Sequence, residues 1–263
     1  MNRQLLDPAP IWAIVIGFAL ALLAAYEVGF RFGRWWQRRT PDKSEEGPTG
    51  MLVGSLLALM AFLLAVTMGM AADRFDTRRR LVVEEANAIG TAYLRAGYLP
   101  EPYGEQSRVL LREYTPLRVA TTDTERLAAN IGRSEQIHEE LWAIVEELVR
   151  TTENSDVLAL YIDTVNQVFD LHTTRVVAGI HARVPETLLL LLLLGSILAL
   201  GTVGYSAGLT GTRSLVSVVV LIAALSLVTI LIVDLDRPRD GFLQVSQQPL
   251  IDLQQRVGPT PPT

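Results

Sequence analysis

The sequence contains no cysteine, and its three histidines, His138, His172 and His181, are scattered so that no two stand three or four residues apart. That pattern offers neither a cysteine-based zinc site nor the HExxH arrangement, in which one helix face presents two imidazoles to a metal. A GxSxG elbow and the kinase signatures are missing too. The net charge is −5, from 28 acidic and 23 basic residues, without the basic stripe of a nucleic-acid binder. The chain therefore reads as a non-enzyme without cofactor, metal or nucleic-acid partner. The lack of cysteine indicates neither side of a membrane.

Charge is scarcest in four stretches, residues 11–30, 52–72, 187–208 and 214–233. Each is about 20 residues long, the length a helix needs to cross a hydrocarbon core of about 30 Å. Glu27 is their single ionisable residue, four positions before Arg31 and so placed for a helix ion pair near the interface. The mild polarity left in the spans is Ser55, Thr67, Ser196, Thr202, Ser217, Ser226 and Thr229. Such residues bond neighbouring helices or line a weakly selective pore. "GTVGYSAG" lies inside a span, so it is no nucleotide loop, but Gly204 and Gly208 form a small-xxx-small pair suited to close helix approach. The first run is longer than a signal peptide's apolar region, has only Arg3 ahead of it, and is followed at once by arginines; it reads as a span.

The fold class is thus all-α: a four-span helical membrane protein with a helical bundle between spans two and three. Its expected parts are a transmembrane hairpin over 1–72, an extramembrane bundle over 73–186, a second hairpin over 187–233, and a membrane-edge joint and tail over 234–263. Arg31, Arg34, Arg38, Arg39 and Lys43 crowd the 31–51 loop beside Trp35 and Trp36. Basic residues in short loops stay in the cytoplasm. The expected place is a bacterial inner membrane, with the 31–51 loop inside and the helical segment outside. The cluster Arg74, Arg78, Arg79 and Arg80 argues the other way.

After the second span no helix breaker appears until Gly97 and Pro100. Val82, Ala86, Ile89 and Tyr93 fall at helical spacing and predict a stalk with one apolar seam; Arg80, Glu84, Asn87 and Thr91 follow the same spacing on roughly the opposite face. "YLPEPYGE" predicts a turn, with a helix over about 105–120 behind it. Ile137, Leu141, Ile144 and Leu148 seam a helix from about Thr124; Leu158, Tyr161, Val165, Val168 and Leu171 seam one from about Asp156. The carboxylates of "EELWAIVEEL" read as solvent-facing. The first and last of these helices are expected to continue into spans two and three, with Pro185 as a kink or joint.

"RLVVEEANAIGTAYLRAGYLP", "TTRVVAGIHARVPETLLLLL" and "DLDRPRDGFLQVSQQPLIDLQ" resemble the bestrophin-like membrane family, a domain of unassigned function, over residues 50 to 254. Asp-x-Asp-Arg-Pro-x-x-Gly in the tail is the most specific piece. The resemblance implies four spans with a helical insert, and kinship with bestrophin anion channels, although no stretch matches the bestrophin pore. Asp234, Asp236, Arg237, Pro238 and Gly241 read physically either as a membrane-edge joint, with the aspartates expected to pair with Arg78, Arg79 or Arg80, or as a plain helix stop followed by a solvated tail. "PLIDLQQRV" predicts a short amphipathic helix with Leu250, Leu253 and Val257 on one side.

Two functions follow. One is an oligomeric channel-like protein passing small ions along a face of Ser55, Thr67, Arg80, Glu84 and Asn87. The other is a non-conducting sensor or scaffold whose helical segment binds a protein partner. Lipid and further copies of the chain are the partners expected in either case.

Overall fold

The computed structural model describes residues 10–40, 46–151, 155–180, 182–237 and 241–258. Arg3, Lys43, His181, Pro238 and Arg239 lie outside them. Among the described residues all regular structure is helical: α1 Ile11–Arg39, α2 Glu46–Ala96, α3 Tyr103–Leu117, α4 Thr124–Thr151, α5 Asp156–Ile180, α6 Glu186–Thr210, α7 Leu215–Asp236 and α8 Gln248–Val257. Four of these, α1, α2, α6 and α7, are long and apolar enough to cross a membrane. The helices outrun the apolar runs that announced them: α1 continues through Arg39 and α2 begins at Glu46, so most of the 31–51 loop is helical.

Backbone contacts divide the chain into two compact units. The first holds residues up to Arg74, Arg183–Arg237 and Gly241–Leu243. Its centre is the packing of α1 on α6, which run parallel, and glycines make the approach possible. A Cβ built on Gly29 would fall on the carbonyl oxygen of Gly201, one on Gly33 on that of Tyr205, one on Gly204 on that of Tyr26, and one on Gly208 on that of Phe30. Small residues at such a seam let backbones meet where lipid offers no hydrophobic driving force. Leu22 and Tyr26 of α1 and Leu200 of α6 are buried beside it.

The second unit holds Phe75–Ala182 and Gln244–Thr263. Its core is the predicted set of seams: Val82, Ala86 and Ile89 of α2, Ile137, Leu141 and Leu148 of α4, Leu158, Tyr161, Val165 and Val168 of α5, and Leu250, Leu253 and Val257 of α8. Tyr93, Ile144 and Leu171 pack against it, half-buried. Each helix buries an apolar stripe, as the patterning of polar and apolar residues predicts. α3 begins two residues before the expected start and ends three before the expected stop.

One expectation is corrected. The last helix of the segment does not continue into the third span, since α5 ends at Ile180 and α6 starts at Glu186. Pro185 occupies the N-cap of α6. Proline disfavours helix in the residue before it, which here is Val184. The N–H of Val184 donates instead to Asp236 Oδ1 at 2.7 Å.

Candidate functional site

The second unit carries a buried charge centre that begins at Glu85. On a helix Glu85 shares the face of Val82, Ala86 and Ile89, and its side chain is 0% exposed. A lone carboxylate there would cost many kcal/mol in desolvation, so its burial requires partners. Arg118, just past the end of α3, donates from Nε to Glu85 Oε1 at 2.7 Å, with 6% of its side chain exposed. Arg175 of α5 pairs with Glu85 Oε2. Arg175 also donates from Nη2 to Gln247 Oε1 at 2.8 Å, and Gln247 donates in turn to the carbonyl of Val245 at 2.9 Å. One carboxylate thereby ties α2, the α3 terminus, α5 and the segment leading to α8.

Beside it stands an aromatic cluster. The Arg118 guanidinium lies 5.7 Å from the Tyr114 ring centroid. The Tyr114 hydroxyl lies 3.4 Å from His172 Nδ1, and the rings of His172 and His138 meet edge to face at 4.8 Å. His138 stacks on Phe169 at 4.1 Å. Burial pushes the imidazole of His138 down to about 3, helped by His172 and Arg118; burial pushes that of His172 down to about 4, helped by Arg118 and Arg175. Burial also raises the Tyr114 phenol. Both histidines are neutral at pH 7. The cluster is an aromatic wall held by ring contacts and the Tyr114–His172 hydrogen bond, and among the described residues no group of three or more metal-ligating side chains gathers to hold an ion.

The tail motif shows its construction in the first unit. Asp234 is buried at the end of α7, where Oδ1 accepts from the N–H of Phe242 at 2.6 Å and Oδ2 from that of Leu243 at 2.9 Å. Gly241 packs closely there: a Cβ would lie 3.0 Å from both the carbonyl oxygen and Oδ1 of Asp234, so a larger residue would force a small shift. Asp236, also buried, holds the N–H of Val184. The two aspartates fasten the tail and the start of α6 to one helix end, and charged acceptors make such bonds stronger than neutral ones. Pro238 lies outside the described residues. Asp234, Asp236, Arg237 and Gly241 belong to this unit and Arg78, Arg79 and Arg80 to the other. Arg78 is buried; Arg79 and Arg80 are exposed, with Arg80 donating to Thr77 at 3.2 Å.

Glu27 has the expected ion pair with Arg31 at 2.9 Å, and a second with Arg213 from the α6–α7 turn. Arg213 lies 4.8 Å from the centroid of Phe30. Of the proposed channel face, Ser55, Arg80, Glu84 and Asn87 are exposed. Thr67 turns inward within its unit, 2% exposed, and donates to the carbonyl of Leu63 at 2.7 Å.

Sequence reasoning missed Glu85, Arg118, Arg175 and the meeting of His138 with His172. The phase of Glu85 with Val82 and Ile89 was the available signal. The histidines gave none, being 34 positions apart and brought together only by the antiparallel course of α4 and α5.

The sequence matches the bestrophin-like domain over residues 19–250. The chain belongs to the bestrophin-like family. Crystal structures of a bacterial bestrophin homologue from Klebsiella pneumoniae share its fold. A point variant is 14% identical with a TM-score of 0.64, covering 94% of this chain and 97% of that one. A second variant gives 14% and 0.66 over 92% and 97%, and a structure phased with zinc gives 14% and 0.63 over 92% and 95%. No curated protein matches the sequence. The bestrophin-like chain is accordingly a channel-like membrane protein, all-helical, with four spans and an inserted helical unit.

Proposed function

We propose that this bestrophin-like protein assembles as a homo-oligomer in a bacterial inner membrane and conducts small ions. The observation that carries the reading is the bestrophin-like match over residues 19–250, together with coverage of nearly the whole bacterial bestrophin homologue by a common fold. The C-terminal part of α2 supports it. Arg80, Glu84, Asn87 and Thr91 form an exposed polar stripe at helical spacing while the opposite seam fills the core. A conducting path needs such a stripe from each copy, and in the membrane part of α2 Ser55 is exposed as well. Thr67 is not part of that face. Orientation follows from the arginines after the first span, which put the 31–51 side in the cytoplasm and the helical insert outside.

Reconstitution into liposomes with an ion-flux assay tests the proposal. Flux is expected, with selectivity altered by Glu84→Lys. The absence of flux under every gradient, from protein shown to be a folded oligomer, would favour the scaffold reading instead.

A further inference from the structure

The second unit has a solvent-connected pocket of about 120 Å³ beside its buried charge centre. Arg78, Arg118, Arg175 and Gln247 supply most of its polar lining, and among the described residues no acidic side chain lines it. Glu85 divides its two oxygens between Arg118 and Arg175, so within this trio one negative charge stands against two positive ones. Arg118 is 7% exposed, so its charge sits where water screens little. His172, neutral beside it, adds no charge. A surplus guanidinium charge in such surroundings favours an anion, and its planar fork matches the two oxygens of a carboxylate.

The remaining wall selects among anions. Val82, Leu127, Ile131, Val176 and Val245 make most of it apolar. Chloride or phosphate would exchange hydration for hydrocarbon there, at a cost that the arginines alone must offset. A molecule with one carboxylate and a short apolar tail satisfies both surfaces. Volume sets how much tail is covered: an apolar cavity of about 150 Å³ holds benzene, so a pocket of about 120 Å³ covers a chain of about four carbons, and carbons beyond that extend toward solvent. We propose that the cavity is a binding site for a small monocarboxylate, its head on Arg118 and Arg175 and its tail against the apolar wall.

The test uses the full chain in detergent, titrated calorimetrically with sodium acetate, butanoate and octanoate, and with butan-1-ol, phosphate and chloride. Butanoate is expected to bind, and at about ten times its Kd to raise Tm by about 3–5 °C. Acetate, two methylenes shorter, is expected to bind about ten-fold more weakly, and butan-1-ol not at all. Arg175→Gln should abolish binding. Because that change also breaks the pair with Glu85, Gly179→Leu is the second variant. Gly179 lines the cavity within α5, and a Cβ added there meets nothing within 4 Å. It should fold with unchanged or higher Tm and lose butanoate binding. No butanoate binding would overturn the proposal. So would affinity that climbs steadily to octanoate, which marks long-chain lipid or micelle partition. Phosphate or chloride binding as tightly as butanoate, or undiminished binding by Gly179→Leu, would do the same.

Discussion

Glu84 and Glu85 are neighbours in the chain with opposite surroundings. Glu84 is exposed, whereas Glu85 has no exposed side-chain surface and holds two arginines. Breaking a buried pair by neutralising one partner costs about 3–5 kcal/mol, because the other charge is left without compensation. Glu85→Gln is therefore expected to lower stability by about that amount, and Glu84→Gln by less than about 0.5 kcal/mol. Denaturant unfolding of the two purified variants checks the contrast. His138 and His172 make the second prediction at this scale. Their folded-state pKa values, about 3 and about 4, lie below the usual value near 6.5. From about pH 6.5 down towards 4 the unfolded chain takes up protons that the folded chain refuses, so stability is lost as pH falls. Each histidine contributes a slope of about 1.4 kcal/mol per pH unit in that window. His138→Phe, which keeps an aromatic ring on Phe169, should remove one histidine's share of the slope in thermal melts between pH 4 and 7. An unchanged slope would show that the burial of His138 does not set it.

Among the elements, glycines of α1 separate a structural role from a tolerated one. Gly33→Ala would drive a methyl into the carbonyl of Tyr205, whereas at Gly17 a Cβ meets nothing within 4 Å. The first change should destabilise by about 1–3 kcal/mol through overpacking, and the second should be neutral. Detergent-resistant melting of the full chain distinguishes them. The elements were largely legible from the residues: the four spans from length and missing charge, and α2, α4, α5 and α8 from the spacing of Val82, Ile137, Leu158 and Leu250 with their partners. Of the glycine seam, Gly204 and Gly208 were readable as a pair, but nothing local to Gly29 and Gly33 marks α6 as their partner. The charge centre was illegible for a related reason. Periodicity assigns a face, and a glutamate on an apolar face gains its meaning only when arginines from two distant helices arrive. Pro185 marked a joint correctly, while the bond that fixes it comes from Asp236, far along the chain.

For the whole molecule the absence of cysteine becomes an instrument. Single cysteines at the exposed positions Arg34, Arg38, Glu135 and Asp163 give a clean labelling background. With a membrane-impermeant thiol reagent on intact cells, Glu135→Cys and Asp163→Cys are expected to label, and Arg34→Cys and Arg38→Cys are not. The reverse pattern would invert the orientation and put the helical insert in the cytoplasm.

The pairing of Gly29 with Gly201 also bears on how a ribosome delivers this protein. Helix α1 leaves the exit tunnel long before its partner α6 is synthesised, and loop closure over such a separation is slow compared with the formation of local helices. The helical insert is translated in that interval, yet its own seam is completed only when α8 arrives and Leu253 settles against Gly90. Both units therefore wait on the last quarter of the message. A stalled or prematurely terminated chain would present an open glycine face to the bilayer and an uncovered apolar groove to solvent, which are surfaces that chaperones and membrane proteases recognise.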